Sequence, residues 1–281
     1  MANNYAQPEV LVDTEWAAKH LNDPKVRFVE VDVDVAAYEG GHIPGAVGWH
    51  WKEQLETPIR RNVADREQVQ DLLSRAGIDP DTTVVLYGDS SNWFAAYAFW
   101  LLKYHGHNDV RLLNGGRQKW QAEGRPTSTE RPTYPRAEYS GNGLDPKIRA
   151  LRDFILPRVG KPGVALVDVR SPKEYKGELL APEHLPQEGA QRGGHIPGAR
   201  NIVWSEAVRE DGTFKSADEL KALYAGQDVT PDKEVIAYCR IGERAAHTWF
   251  VLKYLLGYPH VRNYDGSWTE WGSLIDAPIE R

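Results

Sequence analysis

Two stretches of this chain read as one pattern written twice: VVLYGDSSNWFAAYAFWLLKY from Val84 to Tyr104, and VIAYCRIGERAAHTWFVLKY from Val235 to Tyr254. Each is an apolar run ending in tyrosine, then a short polar loop, then an apolar segment of helical length closing on Lys-Tyr. The repeat continues on both sides. Pro80-Asp81 and Pro231-Asp232 precede the two runs, and VRLLNGGRQKW (Val110 to Trp120) answers VRNYDGSWTEW (Val261 to Trp271). GHIPGA occurs at Gly41 to Ala46 and again at Gly194 to Ala199, each time after an apolar run, VRFVEVDV and VALVDVR. A duplication of this extent predicts two similar domains, residues 1–125 and 145–281. Residues 126–144 between them are rich in Pro, Ser, Thr and Gly without periodicity, which reads as a linker.

Within each half, short β-branched runs alternate with segments of helical period. In ADREQVQDLLSRAGI, Val69, Leu72, Leu73 and Ala76 share one helical face, and Gly77 stands as a stop. Strands that alternate with helices pair in parallel, because parallel neighbours need long crossovers. Thr83 to Tyr87 and Glu234 to Tyr238 are apolar almost throughout, as strands covered by helices on both faces should be. Each half is therefore expected to be an open α/β sheet.

The 281 residues suffice for two cores, and a net charge of -6 spread along the chain gives no reason to expect a nucleic-acid or membrane-surface partner. MANNYAQPEV lacks the basic start and apolar run of a signal peptide, so a cytoplasmic location is expected. A single cysteine excludes an internal disulfide and a cysteine-based zinc site.

That cysteine, Cys239, directly follows the strand expected to end at Tyr238. Ligands of open α/β sheets bind beyond the carboxyl ends of the strands. A strand-to-helix loop aims backbone N–H groups and a helix N-terminus at the thiol, a field that lowers a cysteine pKa from ~8.5 to ~3.5–7.5. Arg240 and Arg244 add positive charge, and Gly242 permits a tight curl. The expectation is an anion-binding nest around a thiolate. In the first copy Gly88 stands where Cys239 would be, and its loop carries Asp89 and no arginine.

On the paired GHIPGA segments, the loop CRIGER and the segment VRNYDGSWTEW, the chain resembles the two-domain rhodanese family of thiosulfate sulfurtransferases, most of all bacterial members with a CRIGER loop. The resemblance covers nearly the whole chain. It implies two tandem rhodanese-like α/β domains, each an open, mainly parallel sheet with helices on both faces, the first silent and the second catalytic. It also implies double displacement: Cys239 takes the outer sulfur of thiosulfate as a persulfide, releases sulfite, and passes the sulfur to cyanide or a thiol. The enzyme is its own sulfur carrier, so no cofactor or metal is expected, and the partners are small molecules. Substrate would be held by the loop residues Arg240, Ile241, Gly242, Glu243 and Arg244. Arg170 would replace an arginine that some relatives carry where this chain has Glu174. Animal relatives commonly have lysine at the position of Ile241. Glu243 puts a negative charge in a loop that should attract anions, unless it points outward or pairs with Arg244.

Three other readings compete. Mercaptopyruvate sulfurtransferases resemble this chain but have a small residue directly after the cysteine, where Arg240 stands. Cysteine phosphatases and arsenate reductases use C-x5-R, whereas Cys239 to Arg244 is C-x4-R, a loop too small for phosphate. A non-catalytic binding module would have no use for the intact thiol and arginines. Among the histidines, His42 and His195 occur in both copies and read as turn residues. His247 reads as packing, and the pair His105 and His107 lacks further metal ligands. Asp168 is expected to bond local backbone.

Overall fold

The computed structural model describes residues 4–32, 34–57, 59, 61–181 and 189–281. Among these, the first copy forms β1 (Leu11–Val12), β2 (Val26–Asp32), β3 (Val47–His50), β4 (Thr83–Tyr87) and β5 (Val110–Leu113), in the order β1-β5-β4-β2-β3. The second forms β6 (Val164–Asp168), β7 (Arg200–Asn201), β8 (Glu234–Tyr238) and β9 (Val261–Tyr264), in the order β7-β6-β8-β9. All strand pairings are parallel. Where β1 lies beside β5, the second sheet has a single parallel bridge, Arg149 to Asn263, beside β9.

The duplication holds at the level of register. Glu30 lies opposite Tyr87 as Asp168 lies opposite Tyr238. Each strand-end tyrosine then does the same work: Tyr87 Oη accepts the Ile43 N–H (2.9 Å), and Tyr238 Oη accepts the Ile196 N–H (3.1 Å). That bond pins each GHIPGA turn to the middle of its sheet. The two histidines of the turns stack on Tyr38 and Tyr175 at 3.8 and 3.6 Å, with Nδ1 of each 2.9 Å from the same tyrosine's carbonyl oxygen. This is a packing role, shared by both copies.

The helices that follow the two loops have almost no solvent face. Trp93–Tyr104 is buried from Phe94 to Leu102, and Glu243–Phe250 is buried throughout before running into a π-helical turn, Val251–Leu255. Helices apolar all round are central ones. The second helix, however, also buries Glu243, Arg244 and His247. Buried charge needs partners, and these are found at the site.

Contacts divide the chain into two units. One comprises Glu9–Asp145 with Val208–Phe214, and the other Pro146–Ala207 and Lys215–Arg281 with the segment ending at Pro8. Residues 126–144 run along the first unit: Tyr134 Oη donates to Gly45 O (2.6 Å) and its ring lies 3.3 Å from the Arg27 guanidinium, while Ala137 N–H donates to Ser74 O (2.9 Å). Within the second unit, Ala6 N–H donates to Leu255 O at 2.9 Å. Among the described residues no helix is long and apolar enough to cross a membrane.

Candidate active site

The loop after β8 is shaped by residues that follow it by about one supersecondary unit. Cys239 N–H donates to Ser267 Oγ (3.0 Å), and that hydroxyl donates to Tyr264 O (2.6 Å). The first turn of the helix Ser267–Trp271 completes the frame: Trp268 N–H donates to Cys239 O and Thr269 N–H to Arg240 O, both at 3.0 Å. Gly242 sits at φ +96°, and a Cβ there would lie 2.6 Å from the Asp265 Cα. Only glycine fits a left-handed position so tightly packed. Asp265 is itself clamped by Arg149 at 2.8 and 2.7 Å, and Gly242 O accepts from Asn263 Nδ2 at 3.1 Å.

Inside this curl the Cys239 Sγ is fully buried. It accepts the Gly242 N–H at 3.1 Å and donates to Glu243 Oε2 at 3.1 Å. Burial and the Glu243 carboxylate push the thiol up to about 11, against the opposing pull of the Arg244 charge and the Ala245 N–H. The sequence predicts a depressed thiol, and the structure reverses the sign. The backbone nest is present, but Glu243 points into it, where neither composition nor spacing revealed its direction.

The arginines are also not the bare cations expected. Arg244 Nη1 and Nη2 donate to Glu174 at 3.2 and 3.1 Å, and its Nε lies 3.7 Å from Glu243 Oε1. Arg240 Nη2 lies 3.9 Å from the same oxygen. Both arginines are buried, so two cations and two carboxylates lie linked together at the loop and their formal charges cancel. Burial works to raise the Glu174 carboxyl, but Arg244 and Ser171 outweigh it and hold it below the ordinary range. Glu174 owes its position to a capping box with Ser171, whose N–H donates to Glu174 Oε2 at 3.0 Å. The Ser-x-x-Glu spacing is legible in the sequence; its use as the seat for Arg244 is not.

Arg170 takes no place among the open cations. It is fully buried, its Nη2 donates to Asp168 (2.6 Å) and Gly194 O (2.7 Å), and its guanidinium lies 4.5 Å from the Trp268 ring centre. It is a strut joining β6, the GHIPGA turn and the helix Ser267–Trp271. Asp168 also accepts the Arg170 N–H at 3.0 Å, the local backbone bond expected of it. Ile241 is buried in the loop, and the His247 ring meets Trp204 edge-on at 5.2 Å. Among the described residues no group of three or more His, Cys, Asp or Glu could hold a metal ion.

The first copy keeps the main-chain frame and closes it. Arg117 N–H donates to Gly88 O (3.0 Å), as Trp268 does to Cys239 O. A Cβ at Gly88, however, would lie 2.3 Å from Val31 O and 2.8 Å from Asp32 Oδ1. Asp32 occupies the strand position of Arg170, two beyond the residue opposite the tyrosine, and accepts the Asp89 N–H at 2.7 Å. Burial and the neighbouring Glu30 carboxyl push it up to about 8. Gly88→Cys should therefore overpack the loop and lower stability by about 1–3 kcal/mol. It should bind no second sulfur atom, which denaturant titration and intact-protein mass would check.

A model of the rhodanese-like domain matches the chain twice, over residues 13–123 and 155–274. The chain is 58% identical over 280 residues to the sulfur carrier protein TtuD of Thermus thermophilus, covering 99% of this chain and 98% of that one. It is 56% identical over 275 residues to a protein of Mycolicibacterium smegmatis provisionally named a thiosulfate sulfurtransferase, covering 98% and 99%. Among solved structures, an anaerobic ergothioneine biosynthesis enzyme from Chlorobium limicola, with its substrate trimethyl histidine, superimposes with a TM-score of 0.84 at 28% identity, covering 98% of this chain and 71% of that one. A form of EanB bearing a cysteine persulfide, with ergothioneine, gives a TM-score of 0.84 at 29% identity, covering 98% and 71%.

Proposed function

The chain belongs to the family of rhodanese-like proteins, and from that premise we propose that it is a thiosulfate sulfurtransferase carrying sulfur as a persulfide on Cys239. The observation that carries this reading is the Gly242 N–H donated to Sγ at 3.1 Å, within a curl that only glycine can make. A backbone donor fixed on the sulfur stabilises negative charge there without reorganising, whether on the attacking thiolate or on the persulfide. Sγ attacks the outer sulfur of thiosulfate, the sulfur–sulfur bond breaks, and its electron pair leaves with sulfite. Cyanide or a thiol then attacks the outer sulfur of the persulfide and regenerates Cys239. The name of the Thermus relative, a sulfur carrier, favours a thiol or protein acceptor in the cell.

Arg240 supports thiosulfate over mercaptopyruvate as donor. A charge-assisted bond to the sulfonate contributes about 1.5–3 kcal/mol, or roughly a 10- to 150-fold preference. The test is to give the full chain each donor without acceptor. Intact mass reads the bound sulfur, while sulfite and pyruvate are measured in the same preparation. The expected result is one added sulfur atom, removable by cyanide, with kcat/KM for thiosulfate at least about tenfold higher. Faster pyruvate release would reassign the donor, and no adduct from either would end the reading.

A further inference from the structure

Before Cys239 can attack, its proton must go somewhere, and the surroundings leave few places. Sγ has no exposure to solvent. Its hydrogen bond as a donor runs to Glu243 Oε2 at 3.1 Å. The other oxygen of that carboxylate lies 3.7 Å from Arg244 Nε and 3.9 Å from Arg240 Nη2, and has no hydrogen bond of its own. Arg244 is in turn held by Glu174 from the helix Pro172–Tyr175. Glu243 therefore faces a thiol on one side and two guanidinium groups on the other, with one oxygen within hydrogen-bond reach of the proton that must leave.

We infer that Glu243 is the proton partner of Cys239, taking the thiol proton as sulfur is bound and giving it back as sulfur leaves. The inference rests on the persulfide reading above. In the first half-reaction, Cys–SH, Glu–COO⁻ and thiosulfate dianion become Cys–S–S⁻, Glu–COOH and sulfite dianion. The lone pair freed from the S–H bond forms the new S–S bond, and the old S–S bond's pair departs on sulfite. In the second, Cys–S–S⁻, Glu–COOH and cyanide become Cys–SH, Glu–COO⁻ and thiocyanate. Charge and protons balance in both steps without exchange with solvent. One proton stays with the Cys239–Glu243 pair through both steps, and in the loaded enzyme the Glu243 hydroxyl donates to the charged persulfide.

The test compares single-turnover persulfide formation from thiosulfate in the full-length protein and in Glu243→Gln, between about pH 6 and pH 9. Wild type should be nearly flat, because the proton never has to leave the site. The variant must lose its proton to water. It should be slower near neutral pH by about 10²–10⁴-fold, with the gap closing as pH rises. A slowdown equal at every pH would mean that Glu243 only positions the arginines, and an unchanged or faster variant would mean that it opposes the donor; either overturns the inference. A second measurement needs no variant. The resting wild type should show no thiolate ultraviolet absorbance at neutral pH, and an ionised resting thiol leaves Glu243 no proton to take. If wild type itself gains no sulfur, both readings fall, whereas a sulfur-loaded wild type with a pH-insensitive variant removes this one alone.

Discussion

Cys239→Ser should end sulfur transfer while leaving the fold in place. The replacement keeps the main-chain bonds to Ser267 and Trp268, which hold the loop. A hydroxyl can also accept the Gly242 N–H and donate to Glu243 as the thiol does. What it cannot do is form a persulfide. The expected loss in sulfite release from thiosulfate is about 10⁶-fold, the scale on which removal of a covalent nucleophile is felt. Since Cys239 is the chain's one cysteine, the mass after thiosulfate treatment should equal the untreated mass. An undiminished adduct in Cys239→Ser would place the carrier elsewhere.

Arg244→Ala should cost a large share of the protein's stability. Glu174 and Glu243 are both buried, and the variant leaves two carboxylates without the cation between them. Breaking one partner of a buried ion pair costs about 3–5 kcal/mol. The sign of the pH dependence follows from Glu174, whose folded pKa is depressed, chiefly by Arg244 acting against burial. A depressed carboxyl contributes stability above its unfolded value, about 4.3, and loses it as pH falls through the folded value. The difference between wild type and variant should thus be full at neutral pH and shrink in acid. Denaturant titrations at both ends of that window check it; equal stability at neutral pH would show that Arg244 is not bearing the pair.

The architecture was legible because its evidence is local and repeated. Tyr87 and Tyr238 end apolar strands in matching contexts, and the two GHIPGA turns tie to them by the same hydroxyl bond. Cys239 at a strand end and Gly242 in a curl were readable for the same reason: a chain neighbour fixes each. Glu243, Arg244 and Arg170 were not. Their roles depend on what lies across space from them, namely the thiol, Glu174 in its capping box, and Asp168 with the Trp268 ring. A sequence lists charges without saying which will face one another. For the same reason Val208–Phe214, inside the second copy by sequence, gave no sign of belonging to the other unit, where Phe214 N–H donates to Asn114 Oδ1 at 3.0 Å.

The frame of the reactive loop has a consequence for the order in which the molecule can come to life. The backbone contacts that curl the chain around Cys239 come from Asn263, Asp265, Ser267, Trp268 and Thr269, with Asp265 braced by Arg149 far upstream. A growing polypeptide that has just delivered Cys239 holds a thiol but no nest. The loop acquires its shape after β9 has joined β8 and the next helix has turned its amides onto the loop carbonyls. During synthesis, therefore, the thiol is the earlier event and its chemical competence the later one. A released chain ending before Val261 would expose an ordinary, unframed cysteine, where the folded protein buries it.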